Sequence, residues 1–142
     1  MTMLSQLLEA KGREVYSVAP GASVIEAIRQ MAERHIGALV VLEEGRLVGI
    51  LSERDYARKV VLNGRNSAST AVREIMSSPV ITVAPEKTVD DAMRLMTARR
   101  VRHLPVVRGD KLVGVVSIGD LVKAVIEDQR HTIEDLRSYI QG

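Results

Sequence analysis

The sequence predicts an α/β fold, of the α+β kind, built from two pseudo-symmetric copies of a β-α-β-β-α repeat. The first observation is an ungapped internal match of residues 18–61 with residues 83–126, at a spacing of 65 residues. The second is helical spacing of apolar residues early in each copy. The third is a pair of apolar segments around a polar turn later in each copy. A period this long exceeds those of solenoids, so it indicates two interlocked half-domains with two equivalent sites between them.

Each copy is predicted to begin with a short strand of β-branched residues, Val15–Val18 in the first and Val80–Val83 in the second. A proline follows each strand and keeps the residue before it extended. The next element in each copy is a helix that starts with a capping box, a hydroxyl followed three residues later by a carboxylate. The two boxes are Ser23 with Glu26 and Thr88 with Asp91.

Two strands and a second helix complete each copy. Glycine-containing polar turns between apolar segments are typical of hairpins. The predicted strand pairs are Ala38–Leu42 with Arg46–Leu51, and Leu104–Val107 with Lys111–Val116. The second helix of each copy is predicted to start at Ser52 or Ser117.

The predicted boundaries are 1–63 for the first repeat, 64–70 for a polar linker, 71–126 for the second repeat and 127–142 for a helical tail. The first copy carries three extra residues, Lys11-Gly12-Arg13, before its first strand. Ile133, Leu136 and Ile140 fall on one helical face of the tail, so we expect the tail to pack against something.

Composition excludes several classes of function. The chain has no cysteine, which excludes disulfides, thiolate metal sites and cysteine catalysis. Its apolar runs are far shorter than the roughly 20 residues of a membrane span, and its first residues do not resemble a signal peptide. We therefore expect a cytoplasmic protein that does not enter a membrane. Its only aromatic residues are three tyrosines, and so few stacking side chains make nucleic acid an unexpected partner.

A Gly-h-h-Ser-x-x-Asp motif, where h is apolar, occurs at Gly49–Asp55 and again at Gly114–Asp120. The aspartate carboxylate can accept both hydroxyls of a ribose, and the helix N-terminus attracts anions. A glycine without a Cβ would let a ligand approach the end of the strand. Ser-x-x-Asp is equally a capping box, and both roles are compatible because the carboxylate has spare lone pairs.

With these motifs and the segment Val101–Val107, the sequence resembles a tandem pair of cystathionine β-synthase (CBS) domains, the Bateman module. The resemblance covers about residues 3–126 and implies repeats packed through their sheets and a homodimer of two pairs. It implies a non-catalytic regulatory module that binds an adenine nucleotide in the cleft between the repeats and signals to an unknown regulated protein. The implied ligands are AMP, ADP, ATP or NAD, with S-adenosylmethionine ranked below them. No catalytic cofactor and no metal are implied.

The resemblance also implies the residues of two sites, each joining the motif of one repeat to the first strand of the other. Site A would comprise Ser52, Arg54, Asp55, Ser77, Ile81, Thr82, Arg102, His103 and Pro105. Site B would comprise Tyr16, Ser17, Gly37, Ala38, Ser117 and Asp120.

The two predicted sites differ in charge. Arg54, Arg102 and His103 give site A groups that can meet a phosphate, and guanidinium groups bind phosphate in a bidentate manner. Site B has uncharged residues at the matching positions. We expect site A to be the better mononucleotide site, whereas site B would be empty, weaker or suited to a ligand whose charge lies elsewhere.

Two other functions stay open from the residues alone: a nucleic-acid-binding regulator and a small nucleotide-processing enzyme. An enzyme would need a nucleophile, a base and an electrophile within mutual reach. The sequence shows no such cluster, no paired catalytic acids and no phosphate-binding loop of the P-loop type. No catalytic residue is therefore assigned.

Overall fold

The computed structural model of the chain describes residues Thr2–Gln141 and has the predicted combination of helices and small sheets. Met1, the first residue of the predicted first repeat, and Gly142, the last residue of the predicted tail, lie outside the described residues. The chain forms two compact units. The first-repeat unit is Val15–Ile81, and the second-repeat unit combines Met1–Glu14 with Thr82–Gly142. The N-terminal segment therefore belongs to the unit of the second repeat.

Except for the first strand of the second copy, the predicted helices and strands occur in the predicted order. Along the chain they are α1 (Leu4–Lys11), β1 (Ser17–Val18), α2 (Val24–Arg34), β2 (Ala38–Glu43), β3 (Arg46–Ser52), α3 (Glu53–Tyr56), a π-helical turn (Ala57–Val61), α4 (Val72–Ile75), α5 (Val89–Arg99), β4 (His103–Arg108), β5 (Lys111–Ser117) and α6 (Ile118–Gln141).

The first-repeat unit contains a three-stranded sheet in the order β1-β2-β3. β1 runs parallel to β2, and β2 and β3 form an antiparallel hairpin in which Ala38 lies opposite Ser52. The tight turn at Glu44 and Gly45 has positive φ at both residues, as a two-residue hairpin turn of type I′ requires. The buried core of this unit comes from α2, the hairpin, the π-helical turn and α4. It consists of Val24, Ala27, Met31, Leu39, Val41, Leu51, Val60, Val72 and Ile75.

The second-repeat unit contains the antiparallel hairpin β4-β5, in which His103 lies opposite Ser117. Its N-terminal segment is joined to the repeat by backbone hydrogen bonds, including Leu4 N–H to the Lys87 carbonyl at 2.8 Å and Val89 N–H to the Thr2 carbonyl at 2.9 Å. Leu4 and Leu8 of α1 are buried, as are Val89 and Met96 of α5. The apolar face of α1 is therefore part of this unit.

Two predictions of local structure, a strand and a capping box, need correction. The strand predicted at Val80–Val83 is a single parallel bridge between Val83 and Val106, because only Val83 forms backbone hydrogen bonds with β4. The box at Ser23 is only half formed: the Glu26 N–H donates to Ser23 Oγ at 3.4 Å, and the described residues make no return bond. Ser23 instead lies in a bridge with Ala71.

The predicted tail is not a separate element. α6 begins at Ile118, directly after Ser117 of the second motif, and runs without interruption through Glu127 to Gln141. Ile133, Leu136 and Ile140 are more than half exposed, so the expected packing of the tail is not observed. Within the described part of the chain, no helix is long and apolar enough to cross a membrane.

The two motif glycines serve packing. A Cβ on Gly49 would collide with the Met76 side chain, and a Cβ on Gly114 would lie 2.7 Å from Leu8 Cδ2. The expectation that these glycines leave room for a ligand is therefore wrong, since a side chain of the same unit already fills the space in each case. Leu8 of α1 and Met76, the residue after α4, thus pack in the same way, each on the hairpin of its own unit.

Replacing Gly114 with alanine should destabilise the protein by about 1–3 kcal/mol, because the new methyl overpacks against Leu8. Urea denaturation of Gly114→Ala measures this loss. Gly119→Ala is the matched control, because its Cβ would meet only Ser117 Oγ at 3.6 Å. That change should be neutral, or stabilising by up to about 1 kcal/mol, since alanine favours a helix over glycine. Equal stability of the two variants would contradict the packing role.

Candidate functional site

The first motif forms a complete capping box at the junction of β3 and α3. The Ser52 N–H donates to Asp55 Oδ2 at 3.0 Å, and the Asp55 N–H donates to Ser52 Oγ at 3.1 Å. The Ser52 hydroxyl also lies 3.0 Å from the same carboxylate oxygen. Capping therefore occupies one oxygen of Asp55 and fixes the carboxylate at the end of the hairpin.

The second oxygen of Asp55 faces two polar side chains. Ser77 Oγ lies 3.5 Å from Asp55 Oδ1, and Lys59 Nζ lies 3.4 Å from it. Ser77 is held there because its backbone exchanges hydrogen bonds of 2.9 and 3.1 Å with Ile50 of β3. Lys59 also donates to the Ile75 carbonyl at 2.9 Å. The Asp55 side chain is 15% exposed, so a small ligand group can still reach the carboxylate.

The second motif repeats the box at the junction of β5 and α6. The Ser117 N–H donates to Asp120 Oδ2 at 2.8 Å, and the Asp120 N–H donates to Ser117 Oγ at 3.1 Å. The cation here comes from the end of α1: Lys11 Nζ lies 2.6 Å from Asp120 Oδ2 and 2.8 Å from the Val115 carbonyl oxygen. In the described residues, Asp120 Oδ1 accepts no hydrogen bond.

The charges around the second motif shift two pKa values. Burial would raise the pKa of Asp120, but the hydrogen bond and charge of Lys11 and the Ser117 N–H lower it below its ordinary value. Burial lowers the pKa of His103, as do the positive charges of Lys11 and Arg102, against the opposing effect of Asp120. Burial and these two positive charges therefore favour the neutral form of His103 near neutral pH.

The predicted site residues are distributed over both units. Of site A, Ser52, Arg54, Asp55, Ser77 and Ile81 belong to the first-repeat unit, and Thr82, Arg102, His103 and Pro105 belong to the second-repeat unit. Of site B, Tyr16, Ser17, Gly37 and Ala38 belong to the first-repeat unit, and Ser117 and Asp120 belong to the second-repeat unit. Within the first-repeat unit, the structure brings together Ser52, Asp55 and Ser77.

Each motif also has neighbours from its own repeat that the sequence did not assign to it. The Glu53 N–H of the first motif donates to the Gly37 carbonyl at 3.0 Å, and the Ile118 N–H of the second motif donates to the Arg102 carbonyl at 2.8 Å.

Tyr16, which the sequence assigned to site B, makes a cation–π contact within the first-repeat unit. The guanidinium carbon of Arg34 lies 4.6 Å from the centre of its ring.

The sequence did not predict the lysine beside either motif carboxylate, Lys59 at Asp55 or Lys11 at Asp120. Lys59 follows Asp55 by four residues, a spacing that brings two side chains together on one helical turn. Lys11 lies in the three-residue insertion that breaks the match between the copies, so comparison of the repeats could not assign it a partner. Over Thr2–Gln141, no three His, Asp or Glu side chains are grouped so that they could hold a metal ion.

Comparison with known proteins identifies the class to which this fold and these motifs belong. The model of the CBS domain matches the chain twice, over residues 11–62 and 72–127. The chain therefore belongs to the CBS domain family and carries a tandem pair of these domains.

The chain covers most of the length of several relatives and solved structures. The chain is 41% identical over 150 residues to the mitochondrial CBS domain-containing protein CBSX3 of Arabidopsis thaliana, covering 99% of this chain and 73% of that one. A solved structure of a protein with CBS domains from Burkholderia ambifaria is similar with a TM-score of 0.87 and 51% identity, over 90% of this chain and 96% of that one. The CBS domain pair of protein MJ0100, solved with 5′-methylthioadenosine and S-adenosyl-L-methionine, is similar with a TM-score of 0.79 and 25% identity, over 90% and 98% of the two chains.

The titration of His103 tests the charge arrangement at the second motif. Its pKa should lie below the ordinary 6.5, so stability should decrease as the pH falls below that value and protonation of the folded state becomes costly. Lys11→Met should raise the pKa of His103, and Asp120→Asn should lower it further. NMR titration of the imidazole resonances measures both shifts.

Lys111→Met is the control, because Lys111 lies opposite Arg108 at the far end of the same hairpin. It should leave the His103 titration unchanged. Shifts of the same sign in the Lys11 and Asp120 variants would contradict the arrangement.

Proposed function

We propose that this chain is a non-catalytic regulatory module that binds an adenine nucleotide at its two Gly-h-h-Ser-x-x-Asp motifs and reports its occupancy to a partner protein. The observation that carries the proposal is the pairing of a partly exposed motif carboxylate with a lysine ammonium in both units. Such a pair offers acceptors to ribose hydroxyls and a cation to phosphate.

The chemistry of each carboxylate supports ribose binding. Both motif aspartates use Oδ2 for the cap. In the described residues Asp120 Oδ1 accepts no hydrogen bond, and Asp55 Oδ1 has only its longer contacts with Ser77 and Lys59, at 3.5 and 3.4 Å. In the first-repeat unit the Ser77 hydroxyl beside Asp55 Oδ1 adds a group that can donate or accept. Ribose hydroxyls are donors, so an ionised carboxylate is the acceptor that binds them most strongly.

The relatives support the class of ligand. The MJ0100 domain pair was solved with two adenosine-containing compounds, which are neutral or cationic. The lysines that pair with Asp55 and Asp120 favour anionic adenosine compounds in this chain. AMP, ADP, ATP and NAD are therefore proposed as ligands ahead of S-adenosylmethionine. Arg102, which is exposed, stays a predicted phosphate ligand.

Signalling then follows from differential binding. A ligand shifts a conformational equilibrium only as far as its affinities for the two states differ. The carboxylates that would hold the ligand also cap α3 and α6, so occupancy acts directly on the start of both helices. α6 extends 24 residues from the second motif and exposes apolar side chains, which makes it the proposed surface for reporting occupancy.

Asp55→Asn and Asp120→Asn should each weaken nucleotide binding by about 10- to 150-fold, the equivalent of the 1.5–3 kcal/mol of a hydrogen bond to a charged group. Asparagine keeps an oxygen for the cap but loses the charge. Calorimetric titration with AMP, ATP, NAD and S-adenosylmethionine measures affinity and stoichiometry.

Asp91→Asn is the matched control, because Asp91 forms the same box with Thr88, at 3.1 and 3.2 Å, at the start of α5. No motif glycine precedes the Thr88–Asp91 box, so Asp91→Asn should bind nucleotide with the affinity of the unsubstituted protein. Unchanged binding in both motif variants would overturn the ribose assignment, and an equal loss in all three would show that the effect arises from helix capping alone.

A further inference from the structure

The two units differ at one place where their sequences should correspond. Leu8 of α1 covers Gly114 in the same way that Met76, after α4, covers Gly49. The two segments are therefore structural counterparts up to this contact. Beyond it they diverge, because α1 continues to Lys11 whereas α4 ends at Ile75.

This divergence changes what lies against the hairpin beside each motif. In the first-repeat unit, the Ser77 N–H donates to the Ile50 carbonyl at 2.9 Å, and the Ile50 N–H donates to the Ser77 carbonyl at 3.1 Å. Val115 holds the matching position in the second-repeat unit, and its carbonyl accepts a 2.8 Å hydrogen bond from Lys11 Nζ. An ammonium group thus takes the place of a backbone bridge.

The insertion Lys11-Gly12-Arg13 accounts for the change. Lys11 is the last residue of α1, and Gly12 ends the helix with φ 102°, a conformation that glycine adopts without strain. The Gly12 N–H donates to the Leu8 carbonyl at 2.8 Å and closes the helix end. The extra residues therefore place the Lys11 ammonium group beside Asp120 of the second motif.

The ammonium of Lys11 has capacity for a further partner. Two of its three N–H groups bond to Val115 and Asp120, so one donor is left. The side chains of Lys11 and Asp120 are 39% and 25% exposed. Without Lys11, Asp120 would repel an anionic ligand; with it, the pair is neutral and offers a donor beside an acceptor.

We propose that Lys11 is the specificity-determining residue of the second-repeat site, where its ammonium selects adenosine ligands that carry phosphate over adenosine itself. This inference rests on the proposed nucleotide-binding function. It also changes the expected charge of site B, which from the repeat alignment alone lacked a cation. Lys59 lies in the π-helical turn that follows α3 and gives the Asp55 site its cation at a longer distance, 3.4 Å. Each site therefore has one lysine beside its carboxylate, supplied by a different part of the chain.

The test isolates the second site by using Asp55→Asn as the parent protein. Calorimetry then compares adenosine, AMP and ATP on the parent, on Lys11→Met and on Lys11→Arg. Lys11→Met should weaken AMP and ATP about tenfold or more and leave adenosine within about twofold, whereas Lys11→Arg should keep the preference for phosphate. The ratio of AMP to adenosine affinity is decisive, because a merely structural loss would weaken both ligands alike.

Lys111→Met in the same parent is the control for removal of a positive charge and should not change the ratio. An unchanged ratio in Lys11→Met, with nucleotide still bound, would overturn the role of Lys11 and leave the proposed function standing. Inorganic pyrophosphate, titrated in parallel, shows whether Lys11 binds phosphate without the adenosine group. Lys11-dependent pyrophosphate binding without any adenosine or nucleotide binding would overturn the proposed function, and with it the selection among adenosine ligands. The absence of binding of any probe would also overturn both.

Discussion

The reciprocal hydrogen bonding of Ser-x-x-Asp at the end of a hairpin is the interaction on which the candidate site depends. A strand ends at the serine and a helix begins directly after it, so the backbone N–H groups at this junction need acceptors. The aspartate supplies one of them and is fixed in place by doing so. The same carboxylate is thereby held, partly exposed, with an oxygen to spare.

Packing beneath the motif reinforces this arrangement. Gly49 and Gly114 let the side chains of Met76 and Leu8 lie directly on the hairpin, which seats the segments that carry Ser77 and Lys11 beside the carboxylates. The glycines therefore act on the site indirectly. They determine which polar groups reach the aspartate and leave no space of their own for a ligand.

Much of the fold could be predicted because its signals are local and occur twice. Both hairpins, the helix starts at Val24 and Val89, and the junctions at Ser52 and Ser117 agree with the predicted elements to within one or two residues. The strand at Val80–Val83 was overestimated because β-branched composition does not guarantee a pairing partner. The membership of α1 in the second-repeat unit depends on contacts between distant residues, which periodicity cannot report.

The site could be predicted only in part. The serine–aspartate pairs follow directly from the motif, and Ser77, which the sequence assigned to site A, lies beside Asp55. Whether these residues bind a ligand stays a prediction. Lys11 could not be found by aligning the repeats, because it lies in the insertion where they no longer match. The asymmetry between the two sites thus comes from the part of the sequence that departs from the repeat.

Nucleotide binding at the motifs is tested most directly by an NMR titration of the isotopically labelled protein with AMP, followed through its backbone amide resonances. AMP should cause the largest shifts at Ser52, Asp55, Ser117 and Asp120. Thr88 and Asp91 should be unaffected, although they form the same capping box. Saturable shifts elsewhere with the motif amides unchanged, or no shifts at all, would contradict the claim that these junctions bind the nucleotide.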